Sequence, residues 1–165
     1  MKTALCEICA VTDSLCSGCG KRLADGEITQ TEIAVSRFLH ARKGEFPLDK
    51  AEVGRCFDCG TIAYLTTPGD PGVLIGKGGR VVNALKKELG KHVRVITLPT
   101  DARKAAEEVL LPAKPLGANV VFHGGAELVK VRVGRSEAAR LPARKEELER
   151  VLNALLGKQV AISFE

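Results

Sequence analysis

Two stretches of this 165-residue chain hold residue types whose spacing suits chemistry. The first is Cys6-x-x-Cys9 followed by Cys16-x-x-Cys19. Each pair can wrap a turn around one ion, and four thiolates so spaced make the pattern of a structural zinc site, with no coordination position left open for catalysis. Four thiolates suit iron as well. The second stretch is Gly76-Lys77-Gly78-Gly79-Arg80, with Leu74 and Ile75 leading into it. Its glycines lack the Cβ atoms that would hold a ligand off, and they free the chain to take positive φ. The apolar pattern that follows, Val81, Val82, Leu85 and Leu89 up to Gly90, predicts a helix whose first turn offers unpaired N–H groups and the positive end of its dipole. Lys77 and Arg80 add charge there, so phosphate is the natural guest.

The spacing excludes two phosphate-binding classes. A Walker loop needs its first glycine where Pro71 stands and a Ser or Thr where Gly78 stands. The dinucleotide fingerprint needs a glycine where Val81 stands and a long strand leading directly into the turn. A Gly-x-x-Gly turn remains, of the kind with which KH modules clamp the backbone of about four nucleotides. No Ser-His-Asp set, carboxylate pair or open metal site can be assembled, and the three histidines are scattered, which argues against an enzyme. His40 reads as a surface or packing residue. A third pair, Cys56 and Cys59 followed by Gly60, can replace one head pair, form half of an intermolecular site, close as a disulfide or simply pack. The head cysteines are favoured as the single site because one short loop closes them. Thioredoxin-like chemistry requires a helix after the pair within a βαβ unit, and none is read after Cys9 or Cys19.

The elements that position these residues can be read in part. Thr29-Gln30-Thr31-Glu32 is a capping box with Ile28 and Ile33 at the staple positions, and it starts a helix running to Gly44. Residues 44–54 read as a linker or a capped turn. Residues 61–67 alternate as a strand, a second strand runs from Val93 to Leu98, and Asp101 caps a helix through Leu110 that Pro112 and Pro115 end. A shift of 67 residues then lays Leu85 on Leu152, Leu89 on Leu156, Gly90 on Gly157 and Val93 on Val160. The last third is therefore read as a copy. In that copy Gly76 to Gly79 fall on Ala143-Arg144-Lys145-Glu146, so the glycines are lost and carboxylates stand at the helix start, where phosphate meets repulsion.

Composition points the same way. The chain carries 25 basic and 20 acidic residues, and Lys77, Arg80, Lys86, Lys87, Lys91 and Arg94 cluster on the turn, its helix and the next strand against only Asp70 and Glu88. An acidic polymer is the expected partner. No run approaches the roughly 20 apolar residues of a membrane span and the N-terminus leads into cysteines, so an intracellular, cytoplasmic protein with no membrane partner and no small-molecule substrate is expected.

With these residues, the stretch from Asp70 through Lys91 and the strand after it resemble a KH domain of the bacterial type found in the transcription factor NusA. The whole chain resembles the short archaeal NusA-like proteins with a cysteine-rich head. The resemblance implies an α/β (α+β) fold of two tandem type II KH-like modules. The expected division is a four-cysteine zinc segment at 1–27, a helix and linker at 28–54, an intact module at 55–111 and a degenerate one at 112–165. It implies a non-catalytic factor of transcription elongation or termination that holds single-stranded RNA through Gly76, Lys77, Gly78, Gly79 and Arg80. The bases would lie over Leu74, Ile75 and Val82 and the strand around Val93 to Val95. The zinc head would dock or stabilise, with RNA polymerase or the ribosome as the implied protein partner. The competing reading is a zinc-dependent protein-interaction adaptor in transcription or ribosome assembly, and a thiol oxidoreductase using Cys56 and Cys59 stands third.

Overall fold

A computed structural model describes residues 1–98 and 101–165. It is a mixed α/β structure with seven α-helices and two three-stranded sheets among the described residues. Two compact units divide it, Met1–Thr97 and Leu98–Glu165.

The first unit begins with two short helices, α1 (Glu7–Val11) and α2 (Ser17–Ala24). Sequence reasoning placed no helix after either head pair, and the structure corrects this. Cys6 and Cys16 are the N-cap residues, and the Cys16 sulfur accepts from the Cys19 N–H. A thiol can serve as the cap that Ser or Asp usually provides. No strand precedes either helix, so the βαβ setting of a redox pair is still missing.

Helix α3 (Gln30–Arg42) starts as its capping box dictates: the Glu32 N–H donates to Thr29 Oγ1 at 3.3 Å and the Thr29 N–H to Glu32 Oε2 at 3.1 Å. Glu32 is buried, and its other oxygen accepts the Cys56 N–H at 2.9 Å. One carboxylate therefore caps the helix and ties it to strand β1 (Cys56–Asp58). Ile28 and Ile33 pack with Leu5, Cys9, Ala10 and Cys19, so the staple is the platform on which the head sits.

The segment expected as a linker is packed. Phe46, Leu48 and Ala51 lie in the main core beside Leu39, Leu65 and Leu85. The Lys2 N–H donates to Ala51 O and the Val53 N–H to Lys2 O, which fastens the N-terminus to it. Burying a side chain the size of Phe46 or Leu48 contributes about 1.5–3 kcal/mol, more than a solvated linker would retain.

Strand β2 (Ile62–Thr67) is buried along its whole length, pairs antiparallel with β1 and runs parallel to β3 (His92–Thr97). The parallel crossover holds α4 (Pro71–Ile75), a 3-10 turn (Lys77–Gly79) and α5 (Arg80–Leu89). Asp70 caps α4 by accepting from Gly72 N–H, and Pro71 sits at its first turn, which turns the apolar lead-in into a helix.

The second unit repeats this order: α6 (Ala102–Leu110), a hairpin of β4 (Pro115–His123) and β5 (Ala126–Val133), a 3-10 segment (Arg135–Arg140), α7 (Lys145–Leu156) and β6 (Gln159–Phe164). Its sheet has the same strand order and directions, with β4 antiparallel and β6 parallel to β5. Ala63 pairs with Val93 and Val129 with Val160, so the second copy slips by one residue from an even shift between its two parallel strands.

Candidate nucleic-acid interface and metal centre

The glycine turn is built from conformations that other residues avoid. Gly76, Gly78 and Gly79 have φ of 78°, 66° and 79°. A Cβ on Gly76 would lie 2.6 Å from Val81 Cγ2, whereas one on Gly78 would meet open space. The Gly79 N–H donates to Gly76 O at 3.0 Å and closes the turn. Helix α5 then starts on Gly79 with no side-chain cap, which it shares with α1 and α7 but not with α2, α3, α4 and α6. The positive end of α5 is thus left to an outside acceptor. Lys77 and Arg80 are exposed beside it and make no ion pair among the described residues. The Arg80 guanidinium leans over the Phe46 ring at 5.7 Å from its centroid. Nothing in the spacing of Phe46 marked it as a partner.

The expected apolar groove is partly as read. Ile75 is exposed and Val82 half-buried, so both can line a surface. Leu74 is 2% exposed and packs in the core, so its side chain supports the groove from beneath and does not face a ligand. Val93 is buried and Val95 half-buried on β3.

Beside them β3 is the outer strand of its sheet. The His92 N–H donates inward to Thr61 O, so alternation turns the Val93 and Val95 N–H groups to the free edge. The second unit shows what can happen to such an edge. There Asn153 Oδ1 accepts the Val160 N–H at 2.6 Å and Glu149 Oε1 accepts the Ile162 N–H at 2.8 Å. At the matching places α5 carries Lys86 and Val82, neither of which can accept. Among the described residues the Val93 and Val95 N–H groups of the first unit's edge meet no acceptor, whereas the matching groups of the second unit are filled from its own helix. The start of α7 differs too: Glu146 and Glu147 occupy its first turn, and Glu147 pairs with Arg144 and Arg150.

Residues 48–110 match the family model described as KH domain. The chain carries a KH domain. The match takes in the glycine turn, the three strands of the first unit and α5, and runs on through α6. An archaeal protein whose solved structure is named "Crystal structure of APE1850" is similar in fold, with a TM-score of 0.55 at 22% identity over 79% of this chain and 95% of that one. No curated protein matches the sequence significantly. KH domains in general bind single-stranded RNA without catalysis.

The cysteine head forms a second, separate cluster. The sulfurs of Cys6, Cys9, Cys16 and Cys19 all lie within 4.8 Å of one another, near the roughly 3.8 Å separation of thiolates around one tetrahedral zinc. The Cys16 N–H donates to Cys9 Sγ at 3.0 Å. The backbone N–H of Cys19, helped by the neighbouring thiols, lowers the Cys16 thiol to about 7, and the backbone N–H of Cys9 lowers Cys6. Cys9 is pushed up to about 12: the Cys16 N–H favours its thiolate, but burial and the three adjacent sulfurs outweigh it. Four thiolates at such close range need a cation, and the donor set fits a metal ion. Cys56 and Cys59 are buried and outside this cluster; burial foremost, with the Glu32 carboxylate, raises the Cys56 thiol. His40 stays out as well, with its Nε2 3.4 Å from Thr3 Oγ1.

Proposed function

We propose that this chain is a single-stranded RNA-binding factor of the NusA-like kind, acting in transcription elongation or termination without catalysis. The observation that carries this reading is the uncapped turn from Gly76 to Arg80 standing beside the open edge of β3, within a KH domain. In this reading the sugar-phosphate backbone crosses the turn at Gly76, Gly78 and Gly79, with Lys77 and Arg80 supplying charge. Ile75 and Val82 form the floor for the bases, and the Val93 and Val95 main chain offers hydrogen bonds to their edges. With no aromatic side chain on this floor, stacking contributes little, so affinity is moderate and falls steeply with salt. The head holds a structural zinc ion through Cys6, Cys9, Cys16 and Cys19 and serves as a platform for a protein of the transcription or ribosomal machinery. The second unit is a degenerate KH module.

The test is fluorescence anisotropy of a short single-stranded RNA at two salt concentrations, with the Lys77→Asp, Gly78→Asp double variant as control. Wild type binds, salt weakens it with a slope of about 0.7 per phosphate contacted, and the folded variant loses binding. Equal binding by the two proteins would refute the clamp. A second reading, a zinc-dependent protein-interaction adaptor, draws on Ile8 and Val11, which stand 72% and 66% exposed on α1 of the head. It requires the head to bind a protein partner while both proteins leave RNA alone.

A further inference from the structure

We propose that the outer edge of β4 pairs antiparallel with the same edge of a second copy of this chain, across a two-fold axis at Val120. Strand β4 is nine residues long and stands at the end of its sheet. Among the described residues no hydrogen bond reaches its outer edge. From Pro115 to Phe122 it has no charged side chain, and Leu116, Val120 and Phe122 are 58%, 49% and 77% exposed. A long, apolar, uncharged edge is what folded proteins ordinarily blunt with charge, brevity or cover. The first unit does so: its outer strand β1 has three residues and ends in Asp58, which pairs with Lys91.

The occupant follows from the strand's own sequence. Ala118, Val120 and Phe122 share the face that Val129 and Val131 present on β5, since Val120 pairs with Val129 and Ala118 with Val131. About an axis at Val120, the bulky Phe122 meets the small Ala118 of the other copy, Val120 meets its own equivalent and Asn119 meets Val121. Large faces small and no like charges oppose, which is the self-complementarity a two-fold contact demands. The hairpin tip Gly124–Gly125, with φ of 60° and 82°, matches the tight turn that fixes strand twist, so the edge is formed before association and little is lost in ordering it.

Sedimentation of the full chain from roughly 1 to 300 µM spans the dissociation constants of weak and moderate contacts. Wild type moves from the mass of one chain to that of two. Val120→Lys and Val120→Glu, both at an exposed site and checked by circular dichroism, each stay at one chain at the highest concentration. Mixed in equal amounts, they recover the two-chain mass, because lysine then faces glutamate across the axis. Wild type remaining at one chain throughout, either variant associating alone, or no recovery on mixing overturns the proposal.

Discussion

At the scale of single residues, Gly76 and Gly78 look equivalent in sequence and are not so in structure. Both hold positive φ, but a Cβ at Gly76 would strike the Val81 side chain at 2.6 Å and its backbone nitrogen at 2.8 Å, while Gly78 faces open space. The neighbour of Gly76 is the first turn of α5, whose Val81 is 1% exposed and cannot retreat. Gly76→Ala is therefore expected to cost about 2–4 kcal/mol through strain and overpacking, and Gly78→Ala about 1 kcal/mol through its left-handed conformation alone. Denaturant midpoints of the two variants check this, and equal losses would show that the turn yields as a unit. The same asymmetry explains why Gly78→Asp suits the RNA experiment. The glycines were legible because positive φ leaves few alternatives. The core position of Leu74 was not, because an apolar residue beside an apolar groove has the same sequence signature as one beneath it.

At the scale of elements, the sequence revealed helices that carry their own punctuation. The capping box of α3, Asp101 before α6 and the αL glycine after α5 are local chemistry, and each stands where it was read. Elements whose existence depends on distant partners were missed. Helices α1 and α2 have five and eight residues, too short to persist alone, and what holds them is the cysteine cluster and the apolar contacts of Ile28 and Ile33. Strand β1, three residues long, rests on its ladder with β2 and on the buried Glu32, which takes the Cys56 N–H. Removing the metal is thus expected to melt the head and spare the KH domain. Ala10 N–H, bonded to Cys6 O, and Gly20 N–H, bonded to Cys16 O, should lose their protection from hydrogen exchange on chelation, while the amides of α5 keep theirs. Acid should act in the same direction. Thiols bind metal only when deprotonated, so protons compete with the ion for the four sulfurs, and as pH falls occupancy drops and the head loosens. Protection of Ala10 and Gly20 unchanged by chelation would show that apolar packing alone folds the head.

At the scale of the whole molecule, the repeat was legible from its two helix–glycine–strand segments, because α5 and α7 both end at an αL glycine three residues before a buried valine of the next strand. Strand β5 was legible in the alternation of Leu128 to Val133, but its hairpin partner β4 was not, since Pro115, Gly117 and the two tip glycines hide it behind turn residues. The two units share a topology and differ where a ligand would lie. In the second, Glu146 and Glu147 oppose an anion at the start of α7, and Asn153 and Glu149 already occupy the Val160 and Ile162 N–H groups. A base arriving there must displace a charge-assisted hydrogen bond and a neutral one, each worth about 1–3 kcal/mol, before making any of its own. In the first unit Val93 and Val95 ask for no such exchange. Titrating RNA into labelled protein should therefore move the amide resonances of residues 75–82 and of Val93 and Val95. Those of Val160 and Ile162 should stay in place, and Arg144→Ala with Lys145→Ala should weaken binding less than about twofold, as expected of charges already paired with Glu147 and Glu149. Comparable shifts on β3 and β6 would mean that RNA displaces Asn153 and Glu149, and that both units grip the strand.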